Sequence, residues 1–195
     1  MREALRQATD ATHQRLHGHR LLARLADGTI SRPDYALLLR QSLAFHAVLE
    51  DRLERGPALD LQGIDLVARS RSSLLQEDLA ALGVAVPPVA PPAPRELAVP
   101  GSAAAALGYL YVSEGSRMGG LAMARSLDGL LGPGSPAGRR FLLGYGPTHG
   151  AQWRALCDAI EAEGHAPESR DAMLAAAVEA FLLFEACMDP AVSAT

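Results

Sequence analysis

The chain has no lysine. All 18 of its basic residues are arginine, so any cationic contact to an anionic ligand comes from arginine, histidine or backbone N–H groups. There are only two cysteines, Cys157 and Cys187. They match neither a metal-ligand spacing nor a disulfide framework, and both read as free buried thiols. No apolar run reaches the roughly 18–20 uncharged residues that a membrane span needs. The N-terminal stretch MREALRQATDATHQRLHGH is amphipathic and mixed in charge, unlike a signal peptide, so a cytoplasmic protein is expected. A net charge of −4 with no basic stripe argues against a nucleic-acid partner. No segment alternates apolar and polar residues through β-branched side chains, so no sheet is expected. Internal repeats are also absent.

What remains is helical in period. The 195 residues, 49% of them apolar, are enough for one domain, 1–195, with its own core. Leu5, Thr9, Thr12 and Leu16 mark one face of a first helix from about Arg2 to Leu16, closed by Gly18. A short helix over Arg20–Ala26 stops at Asp27-Gly28. Ser31 caps the next helix, with Pro33 in its first turn, and that helix runs through Leu53. Another is expected over Asp65–Leu82. The proline-rich stretch 84–100 reads as an extended surface loop. A long helix from Gly101-Ser102 to Leu131, a short one over Ala137–Leu143, one from Thr148 or His149 to Gly164, and a last one over Pro167–Met188 complete an all-α fold of about eight helices.

Two features do not fit an ordinary helical domain. The segment Leu107–Leu121, LGYLYVSEGSRMGGL, reads as helix yet carries Gly115, Gly119 and Gly120. Each mid-helix glycine costs about 0.5–1 kcal/mol relative to alanine. Bare backbone there serves either close helix–helix packing or the approach of a large flat ligand, and it allows a kink. The second feature is His13, three and four residues from Leu16 and Thr9 on the inward stripe of the first helix. It is either a satisfied core imidazole or a metal ligand. His13 and His17, at i and i+4, can also chelate a transition ion from one helix face. No Glu-x-x-His pair occurs, which argues against a ferritin-like carboxylate centre. Arg6 lies two turns before His13 on the same face, about 10 Å along the axis. It is either a solvated cation or the partner of an anionic arm on a ligand whose metal sits at His13.

The runs ATDATHQRL, DGTISRPDY and LGYLYVSEGSRMGGLAM resemble the haem oxygenases, especially the bacterial biliverdin-forming ones. Ala8-Thr9 and His13 match the family's Ala-Thr-x-x-x-His, whose histidine is the proximal iron ligand. Gly115, Gly119 and Gly120 match the Gly-x-x-x-Gly-Gly of its kinked distal helix. The resemblance implies that haem is both cofactor and substrate, held between the first helix and the glycine-bearing helix. It is opened with O2 and external electrons to biliverdin, CO and ferrous iron. His13 would supply the axial imidazole, and Gly115, Ser116, Gly119 and Gly120 the open distal face. Arg6, Tyr111 and Arg154 would meet the propionates. Phe181 would either line the pocket wall or simply pack in the core.

Three positions depart from the family's pattern. Ser116 stands where many relatives carry an aspartate that holds distal water. His17 stands where many place an acid one turn after the ligand, so it either accepts the ligand's N–H or points away. Gly150 stands where a second cation often precedes Arg154. With no flavin or nicotinamide motif, electrons would come from a partner such as ferredoxin or a flavoprotein reductase. A phytochrome is a possible recipient of the biliverdin. The alternative from another class is a non-catalytic haem carrier or sensor of the same fold. A thiamin-degrading enzyme of similar helical architecture would need a nucleophilic cysteine in a polar pocket, which neither Cys157 nor Cys187 suggests.

Overall fold

The computed structural model describes residues 1–57, 59, 63–86, 93–115, 120–144 and 146–189. Its helices are α1 (Arg2–His17), α2 (Arg20–Ala26), α3 (Arg32–Glu54), α4 (Ser72–Ala81), α5 (Ala103–Gly115), α6 (Gly120–Ser126), α7 (Asp128–Leu131), α8 (Arg140–Leu143), α9 (His149–Glu163) and α10 (Pro167–Met188). Single 3-10 turns occupy Val67–Arg69 and Gly146–Thr148. No strand occurs among the described residues, so the all-α expectation holds.

Local chemistry sets several boundaries. The Ser31 hydroxyl accepts the Asp34 N–H at 3.2 Å, and Pro33 sits in the first turn of α3. The Asp34 carboxylate then takes Arg20 and Arg24, both at 3.1 Å, and ties α2 to α3. Gly28 closes α2 with φ +76°, a conformation that a Cβ disfavours. Pro167 opens α10 at a position where its missing N–H costs nothing.

Other boundaries are tertiary. The helix expected over Asp65–Leu82 is a 3-10 turn followed by α4, which begins only at Ser72. The break comes from Glu50 on α3, whose carboxylate accepts the Ser70 hydroxyl at 3.0 Å and the N–H groups of Arg71 and Ser72 at 2.6 and 3.0 Å. These bonds satisfy N–H groups that would otherwise be orphaned at a helix start. Asp78 on α4 does the same for α8, accepting the N–H groups of Arg140 and Phe141, both at 2.8 Å. The expected helix over Ala137–Leu143 accordingly starts at Arg140. Of the helix expected to run to Leu131, the described residues form α5, α6 and α7, with a break at Leu127 and with residues 116–119 outside the described ones. Arg139, almost fully buried, donates to the carbonyls of Ala124 (2.6 Å) and Gly132 (2.6 Å) and to Asp128 (2.5 Å). One guanidinium thereby closes the ends of both α6 and α7.

The core forms two clusters. One lies among α5, α9, α10 and the later turns of α3; the other joins α2, α3, α4 and Leu127. Phe181 and Phe184 of α10 pack against both. Part of the proline-rich stretch lies outside the described residues. Its later part is fastened by Arg52 Nε to the Leu97 carbonyl at 2.8 Å and by the Tyr109 hydroxyl to the Ala98 carbonyl at 3.0 Å.

The α5–α10 contact is a backbone approach at Gly108. A Cβ there would fall well inside contact distance of the Met173 carbonyl and 3.0 Å from the Ala176 Cβ. Gly108→Ala is therefore expected to destabilise the protein by ~1–3 kcal/mol despite its better helix propensity. Urea unfolding of the variant checks this, and a midpoint equal to or above wild type would contradict it.

Candidate functional site

The site begins on α1. Leu5, Thr9, Thr12 and Leu16 form its buried stripe, and α1 packs against α10 and α9. Both ends of the helix are fastened. The Met1 amine reaches Glu161 of α9 at 2.7 Å, and the N–H and Nε of Arg2 meet the same carboxylate at 3.2 and 3.1 Å. These donors hold the Glu161 carboxyl down at about 2. Near the other end, Arg15 forks onto Glu185 of α10 at 2.5 and 2.8 Å and also reaches the Thr12 hydroxyl at 2.9 Å.

His13 lies beside the buried stripe rather than on it, and its residue is exposed. The correction is geometric: the stripe runs through Thr12 and Leu16, and the next residue is turned by about 100°. The ring stands edge-on to Phe181 of α10 at 6.2 Å and to His17 at 4.5 Å, with interplanar angles of 88° and 82°. Neither ring nitrogen takes a hydrogen bond among the described residues. Partial burial, helped by His17, lowers the imidazole's pKa, and Asp10 opposes that weakly. The outcome is a neutral imidazole beside the α1–α10 contact, with no hydrogen bond among the described residues. Phe181 is half-buried, at once core and wall.

Two turns earlier, Arg6 is exposed and forks onto Glu3 at 3.0 and 2.8 Å. Its charge also acts on the half-buried Tyr111 phenol of α5, whose pKa burial raises while Thr9 and Arg6 pull it down. Tyr111 packs on Trp153 of α9 at 6.3 Å. Next to Trp153, Arg154 is exposed and has no ion-pair partner among the described residues. Its Nη1 lies 3.8 Å from where a Gly150 Cβ would be. The sequence-predicted residues thus fall into two groups along α1, His13 with Phe181 and Arg6 with Tyr111 beside Trp153, while Arg154 approaches Gly150 of its own helix.

The glycines differ from one another. Gly115 ends α5, and a Cβ there would make only ordinary contact with Trp153 at 3.8 Å. Gly120 opens α6, and a Cβ there would meet the Leu142 carbonyl of α8 at 2.6 Å. Gly120 therefore serves close packing in addition to any role toward a ligand. Ser116 and Gly119 lie outside the described residues.

Beside Gly115 is a feature the sequence reading missed. Glu114 of α5 and Arg69 of the 3-10 turn form a buried ion pair, with side chains 1% and 5% exposed. Arg69 also donates to the Gln152 carbonyl at 3.1 Å, while the second Glu114 oxygen is buried without a hydrogen-bond partner among the described residues. The signal was present in the sequence: a lone charge inside the otherwise apolar run LGYLYVSEG. The thiols behave as expected. Cys157 and Cys187 are free and buried, and burial raises both, Cys187 to about 12. Neither is an activated nucleophile.

Compared with known families, residues 1–189 match the family model described as "Heme oxygenase". The chain belongs to the haem oxygenase family. That is a family of oxidoreductases. No curated protein sequence matches the chain. Among solved structures it is similar to the NO- and CO-bound haem oxygenase of Neisseria meningitidis, with a TM-score of 0.72 at 20% identity over 96% of this chain and 89% of that one. It is also similar to the haem oxygenase of Leptospira interrogans, with a TM-score of 0.75 at 19% identity over 95% of this chain and 97% of that one. At such identities the likeness is one of fold, and it agrees with the all-helical expectation. No helix among the described residues is long and apolar enough to cross a membrane.

For a haem oxygenase of this geometry, the two described glycines should respond differently. Gly120→Ala is expected to cost ~1–3 kcal/mol through the Leu142 contact, whereas Gly115→Ala, with no clash, should stay within about 1 kcal/mol of wild type. Thermal melts of the two variants check this, and equal stabilities would contradict the packing assignment for Gly120.

Proposed function

We propose that this chain binds haem against α1 and opens it with O2 and external electrons, giving biliverdin, CO and ferrous iron. The observation that carries the reading is His13, a neutral imidazole without a hydrogen bond among the described residues and backed by Phe181, at the position matching the family's iron ligand. The donor set fits the group. A haem iron takes a neutral axial imidazole, the flat macrocycle needs apolar walls such as Phe181, and its two carboxylates need cations. When bound, haem supplies the iron at which O2 is reduced, and its own ring is the substrate.

This chain's residues bind, orient and exclude. His13 holds the iron side. Arg154 offers a guanidinium with no competing partner among the described residues, while Arg6 must share its fork with Glu3 or exchange Glu3 for a propionate. Tyr111 adds a phenol whose proton burial retains. Arg154 is thus the principal propionate cation and Arg6 the secondary one, which differs from an even clamp. By the family's motif, Gly115, Ser116, Gly119 and Gly120 would form the distal side that admits O2. Ser116 is both donor and acceptor and orders distal water without itself being the proton source.

The reductant is a separate protein such as ferredoxin or a flavoprotein reductase, and a phytochrome is a plausible taker of the bilin. We place the reaction in the cytoplasm. The replacement of the usual distal aspartate by Ser116 favours a second reading, a haem carrier or sensor with little turnover. Adding hemin to the purified protein and then ascorbate, with catalase present, separates the two. An enzyme converts the Soret band into bilin absorption, whereas a carrier keeps a Soret band that ascorbate does not bleach.

A further inference from the structure

His17 has no task in the reaction just described, yet it is placed with care. It stands one turn after His13 on a helix fastened at both ends, and the two rings meet at 4.5 Å, nearly perpendicular. Both residues are exposed, and among the described residues neither imidazole forms a hydrogen bond or an ion pair. Two of the other histidines are committed elsewhere. His19 faces Asp189 at 3.3 Å, and His46 is buried between Phe45 and Phe141.

We propose that, in the haem-free protein, His13 and His17 together hold a divalent first-row transition ion, and that such an ion competes with haem for the His13 imidazole. The competition, but not the cation site itself, rests on His13 being the haem ligand. Two histidines at i and i+4 present their nitrogens to the same side of a helix, the spacing by which helical zinc sites gather two ligands. Imidazole is a borderline ligand that selects Cu(II), Ni(II) and Zn(II) over Mn(II) and Mg(II). A ligating imidazole must be neutral. Asp10, one turn before His13, adds negative charge that favours a cation there. Phe181 limits the directions in which His13 can swing.

No group of three or more His, Cys, Asp or Glu able to hold a metal occurs among the described residues. The pair is therefore an open two-ligand chelate completed by water. It binds reversibly, as a competitor must, unlike a closed structural site. Ferrous iron, the metal product of the proposed reaction, belongs to the same class of ion and would be set free beside this pair.

The test uses the full chain without a polyhistidine tag, titrated with Ni(II) alone in a calorimeter. Wild type should bind one equivalent. His13→Ala and His17→Ala should each weaken binding by at least about tenfold, the scale of one lost interaction, and His19→Ala should not. Hemin is then titrated with and without saturating Ni(II), following the Soret band. Nickel should raise the hemin concentration needed by wild type but not by His17→Ala, which still takes up hemin. Equal Ni(II) binding by wild type and His17→Ala would overturn the site. Ni(II) binding at the pair with no effect on the hemin titration would overturn the competition. Failure of hemin to bind under any condition would defeat the haem reading, and the nickel titrations alone would then decide the cation site.

Discussion

His13→Ala is expected to lower bilin formation at least about a hundredfold, equivalent to ~2.7 kcal/mol of barrier at 1.36 kcal/mol per decade. Hemin should still enter through its apolar faces, but with a shifted Soret band. No other imidazole is as well placed. His19, at the start of α2, is drawn toward Asp189, and His46 is buried at 2% exposure between Phe45 and Phe141. The fold should survive, because His13 is exposed and carries no hydrogen bond among the described residues. Free imidazole should restore part of the original spectrum by occupying the space left against Phe181. An unchanged spectrum and turnover in the variant would move the axial ligand to His17.

Arg69→Ala should produce the largest loss of stability, roughly 3–5 kcal/mol. Glu114 is 1% exposed, and without Arg69 its charge stays buried with no counter-ion among the described residues. The Gln152 carbonyl loses its donor as well. At roughly 2–4 °C per kcal/mol for a chain of this size, the melting temperature should fall by about 6–20 °C. The double variant Arg69→Met, Glu114→Leu should recover much of the loss, since apolar groups of similar volume often replace a buried pair without penalty. Urea midpoints of the singles and the double form the cycle that checks this. A single-variant cost below about 1 kcal/mol would mean that water reaches the pair.

Much of this architecture can be read from the chain because its signals are local. Pro167 and the long apolar period delimit α10, Ser31 and Pro33 start α3, and Gly28 stops α2. What the sequence hid is held by groups distant along the chain. Glu50 delays α4 to Ser72, Asp78 delays α8 to Arg140, and Arg139 collects the carbonyls that divide α6 from α7. No local pattern announces a capping group 21 or 62 residues away. The candidate site divides in the same manner. The positions of His13 and the glycines are legible as a motif. Yet the exposure of His13, the fork of Arg6 onto Glu3, and the packing constraint at Gly120 depend on neighbours that only the folded chain brings together. Gly108 shows the same limit. It reads as one more small residue in an apolar helix, and its reason is a carbonyl on α10.

The central claim is that this chain opens haem rather than merely carrying it. The most direct measurement is a single turnover of the hemin complex with ascorbate and O2, catalase present, in which CO, bilin and remaining haem are all quantified. The account predicts CO and bilin in equimolar amounts, each equal to the haem consumed. Recovery of intact haem with no CO would contradict it and leave the chain a haem-binding protein of this fold.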